Sequence, residues 1–323
     1  MSLPAWVVRR YPENGMKHLL RLAVAADLVA LMTLMLGSWT RINGAGLTCP
    51  DWPLCRGHVV PSLGDGTLWE WLHRLLAFTV APLILALVAA AWHQRRRSPF
   101  IGPTIAVIAV IFAVQVFLGA ETVKLANSPF SVVLHWATAM ALIAALSAMA
   151  VFAAATSAGE VGSGAAERRP YGLLLALGVT AIAAFVTMCI GAYVSSSGAG
   201  LACLSIPGCA GNVVVYTTGQ YVQMLHRIAA GVTLVCAAAS LAMVWAQPAS
   251  SRVRVAVVLG AALVCVQVLL GLLNVALRLP TELREAHALN AALLFLAFFV
   301  ASTFATLDAP LRRPVLAANS SAQ

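Results

Sequence analysis

The chain has 323 residues, of which 61% are hydrophobic and only 10% charged, far below the roughly 25% charged typical of soluble domains. That balance excludes a water-soluble globular protein and makes the lipid bilayer the main partner. The formal charge of +9 would suit a nucleic-acid binder, but the basic residues gather at the chain ends and in alternate loops, so no nucleic acid is expected.

Eight apolar runs of about 20 residues follow in order: Leu19 to Trp39, Leu68 to Trp92, Phe100 to Gly119, Ser131 to Ala154, Gly172 to Val194, Tyr221 to Trp245, Val255 to Leu277 and Leu283 to Thr306. They are too long and continuous for barrel strands, and lipid admits only helices or closed barrels. The expected fold class is therefore all-α integral membrane, with eight transmembrane helices. Thirteen of the 20 basic residues (Arg9, Arg10, Lys17, Arg21, Arg95 to Arg97, Arg168, Arg169, Arg252, Arg254, Arg312 and Arg313) fall on one side. The positive-inside rule makes that side, and both termini, cytoplasmic. The first run follows basic residues as a signal peptide would; we read it as a retained helix, because its Gly37 has a counterpart in Gly191. No Arg/Ser-rich transit sequence precedes it, which favours a bacterial plasma membrane.

The two halves repeat. Gly44-Ala-Gly-Leu47 returns as Gly198-Ala-Gly-Leu201, Cys49 and Cys55 as Cys203 and Cys209, and His73-Arg74 as His226-Arg227. Val114-Gln-Val116 returns as Val266-Gln-Val268, Gly119 as Gly271 and His135 as His287. A run of matches at a nearly constant offset indicates duplication. Four helices per copy is an even number, so the copies enter the membrane in the same direction, as two parallel-repeat four-helix bundles. The expected division is 1–155 for the N-terminal bundle, 156–171 for a cytoplasmic linker, 172–306 for the C-terminal bundle and 307–323 for a cytoplasmic tail. Each half has a long outer loop between its first two helices, and each loop carries a C-x5-C pair on the oxidising side. Cys49 is expected to pair with Cys55 and Cys203 with Cys209. A cross-half pairing stays open, since four cysteines allow three connectivities, as do free thiols or a metal site with His58. Cys189, Cys236 and Cys265 read as small apolar fillers.

His73, His135, His226 and His287 each stand four or five residues inside the outer start of an even-numbered span. Equal depth is what two axial ligands of one flat ring require, and bundle cofactors are held by side chains from facing helices. His73 with His135, and His226 with His287, would each clamp one haem iron toward the outer face. A membrane histidine can also serve as a proton relay or an interhelical hydrogen bond; zinc is less apt, because each pair lacks a third ligand. Glu70 stands three residues before His73, on the same helix face, whereas the second half has Gln223 there. Arg74, Arg227, Arg41 and Arg284 lie near the outer surface, where guanidinium could bind haem propionates or simply snorkel to headgroups. Asp27 lies too far from the histidines for a direct role and reads as an interhelical polar contact. Glu121, whose counterpart is Leu273, is a reserve acid.

Two fused four-helix units, E-x-x-H-R at Glu70, His73 and Arg74, H-R again at His226 and Arg227, histidines opening the fourth and eighth helices, and paired loop cysteines together resemble the haem A synthase family. The likeness runs from Leu19 to Thr306. It implies an oxidoreductase that converts the C8 methyl of haem O to the formyl group of haem A for terminal oxidase assembly. By the same resemblance, His73 and His135 would receive substrate haem O, His226 and His287 would hold a resident haem b, and Glu70 would be the catalytic acid. The implied partners are haem O, haem O synthase, terminal oxidase assembly factors and an electron acceptor or donor. The alternative from another class is a di-haem b-type membrane electron-transfer cytochrome, which needs the histidines but not the asymmetric glutamate.

Overall fold

A computed structural model describes residues 14–161, 171–209, 211 and 215–308. Its helices are α1 (Asn14–Ile42), α2 (Thr67–Gln94), α3 (Ile101–Lys124), α4 (Pro129–Ser157), α5 (Tyr171–Ser196), α6 (Thr218–Ala246), α7 (Ser251–Ala276) and α8 (Thr281–Asp308). All eight are long and apolar enough to cross a membrane. Each overlays its expected span, and most run several residues past it. Hydropathy marks only the lipid-facing length, and a helix continues into the headgroups wherever polar residues still satisfy its backbone. Arg9, Arg10, Arg168, Arg169, Arg312 and Arg313, six of the residues behind the expected orientation, lie outside the described residues, as do most of the linker and the tail.

Consecutive helices pack as antiparallel hairpins. A Cβ on Gly15, at the start of α1, would lie 2.7 Å from the Gln94 amide at the end of α2, while one on Gly37 would meet His73 near the start of α2. Among the described helices α4 is the most buried. Its run from Ala137 to Ala155 is dominated by small side chains, which let neighbouring backbones approach where no hydrophobic force acts between helices. Polar pairs supplement that packing: Ser147 of α4 donates to the Asp27 carboxylate at 2.8 Å, and the Thr180 and Ser240 hydroxyls of α5 and α6 lie 2.8 Å apart. Asp27 is thus the interhelical contact expected of it.

Contacts between the halves run through α4 against α5 and α8, and α1 against α8. There Arg41 donates to the Ser195 hydroxyl at 3.0 Å. These two residues are 154 apart, the offset of the repeat, so equivalent positions meet each other. That is compatible with a two-fold axis running along the helices.

The two halves also end their third helices alike. Ala126-Asn127 and Arg278-Leu279 all have positive φ. In each pair the second N–H reaches back to close the turn, Asn127 to Thr122 at 2.9 Å and Leu279 to Asn274 at 2.8 Å. These are Schellman endings, and the recaptured carbonyls offset the cost of left-handed non-glycine residues. The sharp turns tuck under the long loops: Asn127 donates to the Gly46 carbonyl at 2.8 Å. A Cβ at Gly46 or Gly200 would come within 2.8 Å of Asn127 or Leu279 respectively, which accounts for the second glycine of the repeated G-A-G-L motif.

Candidate functional site

The four histidines enter from the second or third turns of the even helices, and all four are half-buried. His73 Nδ1 lies 3.0 Å from the Thr33 carbonyl and His226 Nδ1 3.2 Å from the Thr187 carbonyl. A carbonyl only accepts, so Nδ1 carries the proton and Nε2 is left as the bare ligand nitrogen. His135 and His287 are served differently. Their Nε2 atoms face the side-chain amides of Gln115 (3.5 Å) and Gln267 (3.1 Å), and their Nδ1 atoms are buried without a hydrogen-bond partner. Gln115 takes a short bond from Thr138, and Gln267 accepts from Asn290 at 2.7 Å. Orphaned ring nitrogens are costly in a bundle interior.

In the second half the ring spacing suits one haem iron. The His226 and His287 ring centroids are 6.4 Å apart. An iron about 2 Å from each ligand nitrogen, with each nitrogen about 1.1 Å from its ring centre, sets centroids roughly 6.2 Å apart. Each ring also lies over a glycine, so that a Cβ on Gly37, Gly119, Gly191 or Gly271 would meet the Cε1 atom of His73 (2.7 Å), His135 (3.1 Å), His226 (2.9 Å) or His287 (3.3 Å).

Above the histidines the two halves build the same clamp with different charge. Disulfides join Cys49 to Cys55 and Cys203 to Cys209, so the cross-half pairing is not used. The buried Glu70 accepts from the Cys49 N–H (2.9 Å) and the Thr48 hydroxyl (3.0 Å) through Oε2, and from Arg74 (2.7 Å) through Oε1. Gln223 accepts from the Cys203 N–H at 2.6 Å and donates to the Gly200 carbonyl at 2.8 Å. Arg74 spends its terminal nitrogens on Glu70 and the carbonyls of Cys49, Asp51 and Leu54. Arg227 spends its own on the carbonyls of Cys203, Ser205, Pro207 and Gly208. Two of the four guanidinium groups that the sequence offered to propionates, Arg74 and Arg227, therefore also hold the protein's own loops. Arg41 and Arg284 stand near each other at the seam between the halves, with Glu285 beside Arg41 and Ser38. Glu121, the reserve acid, forms a surface pair with Lys124 at 2.7 Å. His58 is exposed and bridges Cys55 only through its backbone.

The clamps differ in what their loss would cost. Arg74 and Glu70 are only 10% and 5% exposed at their side chains. Arg74→Leu strands a buried carboxylate and is expected to destabilise by about 3–5 kcal/mol. Arg227→Leu faces the neutral Gln223 and should cost less. Thermal unfolding of the two variants in detergent would measure the difference, and equal losses would count against it.

The exposed tip of the first loop responds to acid. The N–H groups of Gly57 (2.8 Å) and Arg56 hold the Asp51 carboxyl below the usual carboxylate range. A depressed folded value stabilises above the ordinary value of about 3.9 and is lost as pH falls through the folded value. As pH falls below that ordinary value the Gly57 amide should lose protection and its exchange approach the intrinsic rate, and protection unchanged in strong acid would disprove this link.

Eight membrane-length helices define a helical integral membrane protein, and its half-buried imidazoles seated over glycines are side chains of the type that helical bundles use to hold haem. The model of the cytochrome oxidase assembly protein family COX15-CtaA matches residues 20–66 and 63–299, and the chain belongs to that family. It is 31% identical over 230 residues to a haem A synthase of Bacillus pumilus, covering 67% of this chain and 71% of the relative. It is 33% identical over 224 residues to that of Shouchella clausii, covering 66% and 72%. Against that of Geobacillus kaustophilus it is 29% identical over 323 residues, covering 93% and 95%.

The sequence reading missed the glycine seats, although a signal was there. Thr33-x-x-x-Gly37, Gln115-x-x-x-Gly119, Thr187-x-x-x-Gly191 and Gln267-x-x-x-Gly271 place a polar residue one turn before each glycine. Glu285, also missed, gives no such signal, since it lacks an acidic counterpart in the first half.

Proposed function

We propose that the protein is a haem A synthase that takes haem O as substrate and oxidises its C8 methyl to the formyl group of haem A, as an oxidoreductase acting on a CH3 group. The carrying observation is the duplicated imidazole pair, with ring spacing suited to one iron in the second half, in a chain of this family. On this reading residues 1–155 form the substrate bundle, with His73 and His135 receiving haem O. Residues 172–306 form the cofactor bundle, with His226 and His287 holding haem b, and 156–171 and 307–323 are linker and tail. The resident haem supplies the redox chemistry that side chains lack.

The chain's own groups then bind, orient and move protons. The Thr33 and Thr187 carbonyls fix the histidine tautomers, an outer interaction that orients a ligand and raises its basicity. Glu70 is the acid of the site: it can accept a proton released as the methyl is oxidised, or stabilise positive charge developing there. Arg41 and Arg284 remain the propionate candidates, while Arg74 and Arg227 fasten the loops over the sites. Lys17, Arg21, Arg95 to Arg97, Arg252 and Arg254 face the cytoplasm with both termini, so the haems lie toward the outer face of a bacterial plasma membrane. Haem O synthase, oxidase assembly factors and an electron acceptor or donor are the partners this chemistry needs.

Co-expression with a haem O synthase in a host that makes no haem A tests the reading. Chromatography of extracted haems should show haem A appearing at the expense of haem O. Accumulation of haem O alone beside a well-expressed chain would refute it.

A further inference from the structure

Four glycines stand opposite four histidines on four different helices, and the contact falls on the same ring atom each time. In every case the atom nearest an added Cβ is Cε1, at 2.7 Å for Gly37, 3.1 Å for Gly119, 2.9 Å for Gly191 and 3.3 Å for Gly271. Below 3.0 Å something must move, and here the obstacle is a ring already tied at Nδ1. The Thr33 carbonyl lies one turn before Gly37 and the Thr187 carbonyl one turn before Gly191, so each is the helical acceptor of that glycine's own N–H. A carbonyl has a second lone pair, and the missing side chain leaves it open to the imidazole. On α3 and α7 the residue one turn before the glycine is Gln115 or Gln267, whose amide meets the histidine instead.

We propose that Gly37, Gly119, Gly191 and Gly271 are positioning residues for the haem ligands. Each opens the recess in which one imidazole lies against the preceding helix, and in α1 and α5 each also uncovers the carbonyl that sets the ring's tautomer. The consequence for haem rests on the function proposed above; the seating of the rings does not. Severity follows distance: Gly37 and Gly191 tolerate no methyl without displacing the ring, while at Gly119 and Gly271 the ring must give by only a few tenths of an ångström.

The test uses the full chain purified in detergent, comparing Gly191→Ala and Gly271→Ala with Gly178→Ala. Gly178 is on the same helix as Gly191, but an added Cβ there meets nothing within 4 Å, so it controls for helix propensity. Haem content, the low-spin bis-imidazole spectrum and the midpoint potential are read on each. Gly191→Ala should retain haem about 10–100-fold more weakly and turn the remainder high-spin, with a shifted potential. Gly271→Ala should stay low-spin, and Gly178→Ala should match the parent. A parental spectrum and potential in Gly191→Ala, or the same loss in Gly178→Ala, overturns the inference. Nitrogen-15 histidine spectra of the haem-stripped chains separate it from the functional reading. The Nδ1–H signature of His226 should persist in the parent and vanish in Gly191→Ala even if the parent never held haem; its survival in that variant also overturns the inference.

Discussion

A chain carrying His226→Ala is expected to purify with its second bundle empty of haem while the first keeps its capacity to bind. His226 and His287 face each other with ring centroids 6.4 Å apart. Removing one leaves the other, whose Nδ1 is already without a partner, as the sole axial contact. The Thr187 carbonyl loses its second donor as well. Iron held by one ligand in an enlarged cavity dissociates far more readily, so the resident haem should be lost and activity should fall to background. Pyridine haemochrome assay against protein concentration measures the first, and extracted haem A the second. The mirror variant His73→Ala should keep the resident haem and lose substrate binding. If the two variants lost the same haem, the division of labour between the halves would be wrong.

Much of the architecture was legible because lipid imposes a blunt rule. A backbone without water must close its own hydrogen bonds, so α1 to α8 announce themselves as uninterrupted apolar runs. The cysteine pairs were legible because each C-x5-C pair lies in one loop on the oxidising side of the membrane, and both bonds form. What sequence could not give is where backbone carbonyls go, since every residue has one. Arg74 and Arg227 looked like anion binders because guanidinium binds carboxylates; in the structure Arg74 does hold the Glu70 carboxylate, but both also hold loop carbonyls that carry no sequence signature. The glycine seats were written four times, but a glycine four residues after Thr or Gln has meaning only once α1 lies antiparallel to α2 and α3 to α4. Glu121 shows a related limit: position along a helix is readable, but the side chain's partner, here Lys124, is not.

Glu70→Gln should leave the fold intact and lower haem A formation by about 10²–10⁴-fold, the range for removing an acid or base from a site. The structure supplies its own control for this substitution. Gln223 occupies the equivalent position in the second half and accepts from the Cys203 N–H at 2.6 Å, as Glu70 does from the Cys49 N–H at 2.9 Å. Glutamine is therefore sterically and hydrogen-bond competent to hold such a loop, and Arg74 keeps its three loop carbonyls. What the substitution removes is the charge and the ability to take a proton. Glu70→Ala differs: it abandons the Cys49 N–H and the Thr48 hydroxyl as well, so loop order and thermal stability should fall with activity. The pair thus separates chemistry from scaffolding. If Glu70→Gln turned over haem O at the parental rate while Glu70→Ala failed, the carboxylate would be only a loop fastener, and the acid of the reaction would have to be sought elsewhere.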